Sequence, residues 1–217
     1  MALALVIGNK AYSSWSLRPW LAMKMAGLNF EEVLIPLAQP GTKAAMLKNA
    51  PNGQVPVLHH DGVTVWESLA ILEYVNETLA EGRLWPEERS ARALARAISA
   101  EMHGGFGALR SHCPMNVRRR LESYPLTQDA ARDVARIEAI WRDARLRYGQ
   151  GGPFLFGAFS NADAMFAPVV NRLHFYALPV APETRAYMDS VLGLPPNMQW
   201  RADAALEPWV IADSERY

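Results

Sequence analysis

The sequence predicts an α/β domain followed by an all-α domain. Three observations carry this expectation. Up to Ala80, short apolar runs and helix-period stretches follow one another in the order βαβ, helix, ββα. A polar stretch punctuated by Gly82 and Pro86, Leu79–Glu88, then interrupts the pattern. Beyond it no strand pattern appears, and long helix-period stretches take over. The expected division is therefore residues 1–80, a linker at 81–88, and a helical domain at 89–217. At 217 residues and 24.1 kDa the chain can bury a substantial core.

Leu3–Gly8 is rich enough in Val, Ile and Leu for a buried strand, and Asn9–Ser14 is polar and turn-like. Leu17, Trp20, Leu21 and Met25 recur near helical spacing, with Gly27 as the stop. Pro19 belongs in a first helical turn, which places the helix start near Ser16. Phe30–Ile35 is the next strand and Gly41–Asn49 a short helix. Asn52-Gly53 suits a tight turn. Val55–Leu58 is a strand holding Pro56, and a proline cannot donate to a central ladder, so the strand is expected either to be an edge strand or to present its proline side elsewhere. His59–Gly62 reads as a hairpin turn, because Asp61-Gly62 favours type I′ geometry. Val63–Trp66 returns. Glu67-Ser68 stands before Leu69, Ile71 and Leu72, which open another helix. A carboxylate, a hydroxyl and unsatisfied helix N–H groups meet there, either as a cap or as a ligand site. This element order is thioredoxin-like.

In the second half, Ser90–Leu109 is a long helix with Leu94, Ile98 and Met102 in register. Gly104, Gly105 and Gly107 are costly near its end and imply close backbone approach, to a partner subunit or to a cleft. Met102 and Phe106 stand one turn apart and are candidates for an apolar wall, or for ordinary core. Arg118-Arg119-Arg120 reads as a solvated face. Thr127–Tyr148 is a second long helix, with Val134, Ile137 and Trp141 in a stripe. Ser160-Asn161-Ala162-Asp163 is a capping box before a buried helix over Ala164–Tyr176, with Pro168 a possible kink. Thr184–Leu192 and Pro195–Trp209 supply the last helices, and Trp200 or Trp209 is placed either over a cleft or in the core.

Composition excludes several classes. Lys and Arg balance Asp and Glu at 22 each, so no general attraction to nucleic acid is implied. Cys113 is the only cysteine, which rules out an internal disulfide, a CxxC pair and a cysteine-rich zinc site. The histidines lack metal-ligand spacing, so no metal is expected; His59-His60 reads as a solvated turn. The N-terminus shows no signal peptide, and no run has transmembrane length, so a soluble cytoplasmic protein is the expectation.

Val55-Pro56, Glu67-Ser68 and the loop Tyr12-Ser13-Ser14-Trp15-Ser16-Leu17-Arg18, in that spacing, resemble the glutathione S-transferase family over nearly the whole chain. The resemblance implies that Val55, before a cis Pro56, pairs its backbone with the cysteinyl unit of glutathione. It implies that Glu67 and Ser68 hold the γ-glutamyl end, and that Gln54 reaches the glycyl end or the peptide backbone. His59, His60 and Lys43 are additional donors without rank. The loop is similar to the serine-cysteine motif of zeta-like members, with Ser13 and Ser14 as its serines and Arg18 as its arginine. Trp15 replaces the cysteine. The family implies a hydroxyl that stabilises the glutathione thiolate, and the order of candidates is Ser13, Ser14, Tyr12. Without the family, these serines read as helix caps. Met102 and Phe106 are implied in the second-substrate pocket. The main expectation is a homodimeric detoxification transferase joining glutathione to a small apolar electrophile. The alternatives are a glutathione-dependent isomerase or lyase of the maleylacetoacetate isomerase kind, and a binding module without turnover.

Overall fold

The computed structural model describes residues 3–215. Its first half is a four-stranded mixed sheet. β1 (Leu3–Ile7), α1 (Ser14–Met25), β2 (Glu31–Leu34) and α2 (Thr42–Leu47) lead into β3 (Val57–His60), β4 (Val63–Trp66) and α3 (Ser68–Thr78). The strand order is β2-β1-β3-β4, with β1 parallel to β2 and antiparallel to β3, and β3 antiparallel to β4. Strand alternation divides the core. Leu5, Ile7 and Leu58 face the large cluster shared with α1, α3 and the helical half. Val6 and Val57 face a smaller one with Ile35, Met46 and Ala50, under α2.

β3 is an inner strand, the second of the two arrangements expected, with its proline outside the ladder. Its ladder begins at Val57, one residue after the proline, so Pro56 costs no ladder bond. The Val55–Pro56 peptide is cis. His59 and His60 lie in the strand rather than in the turn, where they meet Thr64, Asn49 and Tyr74. The turn narrows to Asp61 and Gly62, both at positive φ (45° and 87°) as type I′ requires.

The helical half comprises α4 (Arg89–Gly104), α5 (Gly107–His112), α6 (Gln128–Tyr148), α7 (Asn161–Phe175), α8 (Pro182–Leu192) and α9 (Pro195–Ala205). α7 is buried on all sides from Asn161 to Leu173 and packs against both α1 and α4, so it ties the two halves together. Ser160 and Asp163 form the expected capping box. The Asp163 carboxylate accepts from the Ser160 N–H at 2.8 Å and from its hydroxyl at 3.0 Å. Its other oxygen accepts from Leu155 N–H and from the Tyr187 hydroxyl, both at 3.1 Å. Burial pushes the Asp163 carboxyl up to about 6.

Two boundaries differ from expectation. α1 begins at Ser14, so Pro19 sits in its second turn. Every residue from Ser16 to Met23 is buried there, and packing outweighs the lost backbone bond. The predicted Ser90–Leu109 helix breaks in two. Gly105 is extended, and Phe106 takes a left-handed conformation at φ 58° before α5 starts. Trp200 belongs to the core: its ring meets Trp20 at 5.1 Å and its indole N–H donates to the Lys10 carbonyl. Cys113 is fully buried, and burial pushes its thiol up to about 12.

Candidate active site

An open cleft of about 770 Å³ lies where α1 begins, between the cis-proline turn and α4–α5. That volume is in the range of small-molecule sites. Tyr12, Ser13, Ser14, Gln54, Val55, Pro56 and Glu67 all border it. Residues scattered over the first domain are thus brought to one place by the end of β1, the turn before β3 and the start of α3.

Ser13 is the N-cap of α1. Its hydroxyl accepts from Ser16 N–H at 3.3 Å and donates to the Ser16 hydroxyl at 2.7 Å, which in turn accepts from Gly8 N–H at 3.0 Å. Ser13 is thus a cap that borders the cleft, with its proton directed to Ser16. Ser14 also borders the cleft, and its hydroxyl makes no hydrogen bond among the described residues. Tyr12 differs: its phenol donates to Glu215 at 2.6 Å and accepts from Arg118. Burial and the Glu215 bond raise its pKa, so it stays a neutral phenol committed to the C-terminal segment.

Among the described residues, no hydrogen bond engages the Val55 N–H or C=O, and both sit beside the cleft. The Gln54 N–H donates to the Asn52 side chain at 3.2 Å, leaving the Gln54 amide group unengaged. Glu67 is the N-cap of α3 at φ 70°, a conformation costly for a non-glycine residue. Its carboxylate is 3.6 Å from His103 Nε2. Burial, with Arg18 and Arg110 nearby, lowers the His103 pKa from 6.5 despite Glu67. At neutral pH His103 is neutral, so this contact is no ion pair. Ser68 is fully buried and, unlike Glu67, does not border the cleft; its hydroxyl has no partner. Lys43 turns away, donating to the Asn52 and Gly53 carbonyls.

The far wall of the cleft departs from expectation. Met102 and Phe106 are buried in the core and do not border the cleft. The wall is instead Gly104, Gly105, Gly107, Arg110, Ser111, Pro114, Met115, Arg172 and Ser214. The helix break explains this: it turns Phe106 inward and presents the glycines. A Cβ at Gly104 or Gly107 would meet nothing within 4 Å, so both leave open space.

Three guanidinium groups gather here, Arg110 and Arg172 in the wall and Arg18 outside the cleft lining. Arg18 is fully buried; its Nε donates to the Met165 carbonyl at 3.2 Å, and one of its terminal nitrogens has no partner. Arg172 donates to the Cys113 carbonyl at 2.9 Å, and Arg110 to the His103 and Gly105 carbonyls. No carboxylate pairs with any of the three among the described residues. Burial and the neighbouring Arg172 and Arg110 charges push Arg18 well below its ordinary pKa, and Arg172 is pulled down to about 10. Trp15 is held between Arg18 (4.2 Å) and Arg110 (4.6 Å), with His103 edge-on at 5.1 Å. Sequence reasoning missed Arg110 and Arg172 as wall residues. For Arg172 a signal existed, an arginine two residues after the apolar run Ala164–Val170 in a helix expected to be buried.

A thioredoxin-like half with a cis-proline turn, joined by a shared cleft to a helical half, defines the transferase type of fold. The family model for the glutathione S-transferase N-terminal domain matches residues 12–78. Maleylacetoacetate isomerase of Rattus norvegicus is 31% identical over 174 residues, covering 78% of this chain and 77% of that protein. The Mus musculus maleylacetoacetate isomerase is 39% identical over 102 residues, 45% of this chain and 46% of that protein. A Burkholderia glutathione transferase homolog, solved with bound glutathione, superposes with a TM-score of 0.72 at 24% identity, covering 94% and 98% of the two chains. The chain belongs to the glutathione S-transferase family and stands close to the maleylacetoacetate isomerase homologues in it.

Proposed function

We propose that this protein is a glutathione-dependent isomerase acting on a small unsaturated carboxylic acid. The observation that carries this reading is the wall of the cleft: glycine-opened space and uncompensated guanidinium groups stand where an apolar electrophile would need an apolar wall. The maleylacetoacetate isomerase relatives support it, and so displace conjugation as the main reading.

The residues present fit glutathione. The unengaged Val55 N–H and C=O suit pairing with an extended peptide backbone. The Glu67 carboxylate suits the γ-glutamyl ammonium. The first N–H groups of α3 suit its carboxylate, and the unpartnered Ser68 hydroxyl, fully buried as it stands, joins them once the start of α3 shifts to expose it. Gln54 supplies a neutral donor toward the glycyl end. When bound, glutathione supplies a thiolate that adds to a carbon–carbon double bond and leaves again after rotation, so it is not consumed. The chain's part is to favour that thiolate. The Ser14 hydroxyl, which has no other partner among the described residues, donates to it. The Ser13 hydroxyl donates once its bond with Ser16 reverses, so that Ser16 becomes the donor and Ser13 the acceptor, and the start of α1 adds positive potential. Arg110 and Arg172 orient the acid group of the substrate and offset charge that develops on it. Trp15, clamped by Arg18 and Arg110, forms the floor between the two halves.

The test is a paired assay with millimolar glutathione. Maleylacetoacetate should be isomerised, with an apolar aryl halide conjugated at least about tenfold less efficiently, a gap of roughly 1.4 kcal/mol in barrier. The reverse order would return conjugation to first place, and no turnover of either would favour a binding module.

We further propose domain limits of 1–80 and 89–217, a cytoplasmic setting and a homodimer. No helix among the described residues is long and apolar enough to cross a membrane. Val63 and Trp66 on edge strand β4 remain 45% and 40% exposed, which offers apolar surface to a second copy. Sedimentation showing only a 24.1 kDa species at micromolar concentration would contradict the dimer.

A further inference from the structure

The loop between β1 and α1 is held from the opposite end of the chain. Lys10 is gripped at three points by one face of α9 and its exit. Its carbonyl accepts from the Trp200 indole N–H at 2.8 Å, its ammonium meets Asp203 at 2.6 Å, and its backbone N–H donates to Glu207 at 2.6 Å. The second oxygen of Glu207 accepts from Ala11 N–H at 3.0 Å. Trp200 and Asp203 are spaced i, i+3 on one face of α9, and Glu207 follows two residues past its last helical residue, Ala205. The Lys10 ammonium also reaches Glu32 at 2.7 Å. Arg118 secures the tail beyond, donating to the Glu207 carbonyl at 2.8 Å and the Trp209 carbonyl at 3.0 Å, and to the Tyr12 hydroxyl. The two residues after Ala11 are Tyr12 and Ser13. Ser13 N–H and Tyr12 N–H both donate to the Asn9 carbonyl, so the turn is one tight unit.

We propose that Glu207, with Trp200 and Asp203, is a positioning residue for thiol activation: α9 fixes the Lys10–Ala11 backbone so that the Ser13 hydroxyl meets the sulfur in the right orientation. This rests on the reading of Ser13 as a thiolate donor. The physical case is that Ala11 is fully buried and Lys10 nearly so. Their N–H groups have no backbone acceptor, and the Glu207 carboxylate takes both. A buried N–H that loses its acceptor seeks another, and here that means a shift of the turn carrying Ser13. The effect belongs on the thiolate and the rate, not on the peptide contacts at Val55 and Glu67, which lie on other elements.

The experiment titrates thiolate absorbance of the glutathione complex against pH in Glu207→Ala, Glu207→Gln, Ser13→Ala and Glu207→Ala/Ser13→Ala. Glu207→Ala should raise the thiol pKa by about 0.5–1 unit and lower kcat about three- to tenfold, with glutathione affinity within about twofold. Glu207→Gln, which keeps one acceptor oxygen, should fall between it and the native protein. In the Ser13→Ala background the Glu207 substitution should add nothing to the thiol pKa. An unshifted pKa in folded Glu207→Ala and Glu207→Gln overturns the proposal, as does an equal shift with and without Ser13. If Ser13→Ala alone leaves the pKa unchanged, the reading of Ser13 fails separately.

Discussion

Ser13 illustrates how one hydroxyl serves folding and chemistry. As N-cap of α1 it satisfies an orphan N–H, a role worth about 1 kcal/mol. Its place on the cleft adds the second role. Ser13→Ala should raise the pKa of bound glutathione by about one to two units, or roughly 1.4–2.8 kcal/mol of thiolate preference. Ser14→Ala should shift it less and Tyr12→Phe least, because the Tyr12 proton goes to Glu215. Thiolate absorbance of the three complexes against pH decides the order, and a larger shift for Tyr12→Phe would reverse it. Cys113 is the opposite case, a reactive residue type made inert by burial. Iodoacetamide at neutral pH should leave it unmodified in the folded protein, as mass spectrometry would show. Arg110 carries the substrate argument. Arg110→Gln should raise KM for the acid substrate about tenfold or more while leaving glutathione affinity unchanged; equal KM values would remove the guanidinium from recognition.

At the scale of elements, the capping box before α7 makes a pH prediction. The folded Asp163 carboxyl titrates near 6, against 3.8 ordinarily, because burial outweighs the hydrogen bonds it accepts. Between those values the folded state binds more protons than the unfolded state. This group's contribution to stability therefore falls as pH rises through the window and is lowest above it. Asp163→Asn should flatten that part of the stability-against-pH curve, measured by urea unfolding from pH 4 to 7; an unaltered slope would contradict the buried titration. This cap was legible because its residues are neighbours in sequence, and so was the Asp61-Gly62 turn. The position of β3 was not. A proline marks only where a ladder cannot run, and the ladder starts at Val57. The break after α4 was half legible. Three glycines marked the place, but Gly104 and Gly107 face open space rather than a close neighbour, and nothing announced that Phe106 would adopt a left-handed turn and point inward. That one backbone choice moves Met102 and Phe106 out of the site and brings in Arg110. Gly107→Val should test the space it opens. A Cβ there meets nothing within 4 Å, so unfolding should change little while KM for the second substrate rises several-fold.

At the scale of the molecule, the order of elements and both halves were readable from periodicity alone, whereas the cleft joining them was not. Arg18 and Arg172 come together because α1 packs on α7, and the grip of α9 on Lys10 spans nearly the whole chain. Such contacts have no local signature. Formal charge sums to zero, yet positive charge is concentrated at one wall of the cleft, which composition cannot show. That uneven charge underlies the central claim, isomerisation of an unsaturated acid. Its most direct test counts glutathione against product. Maleylacetoacetate is supplied in large excess over glutathione, and free thiol and geometric isomer are followed together. Isomerisation predicts that many moles of product form per mole of glutathione while the thiol concentration stays constant. Loss of one thiol for each substrate molecule converted would contradict it and identify a conjugating transferase.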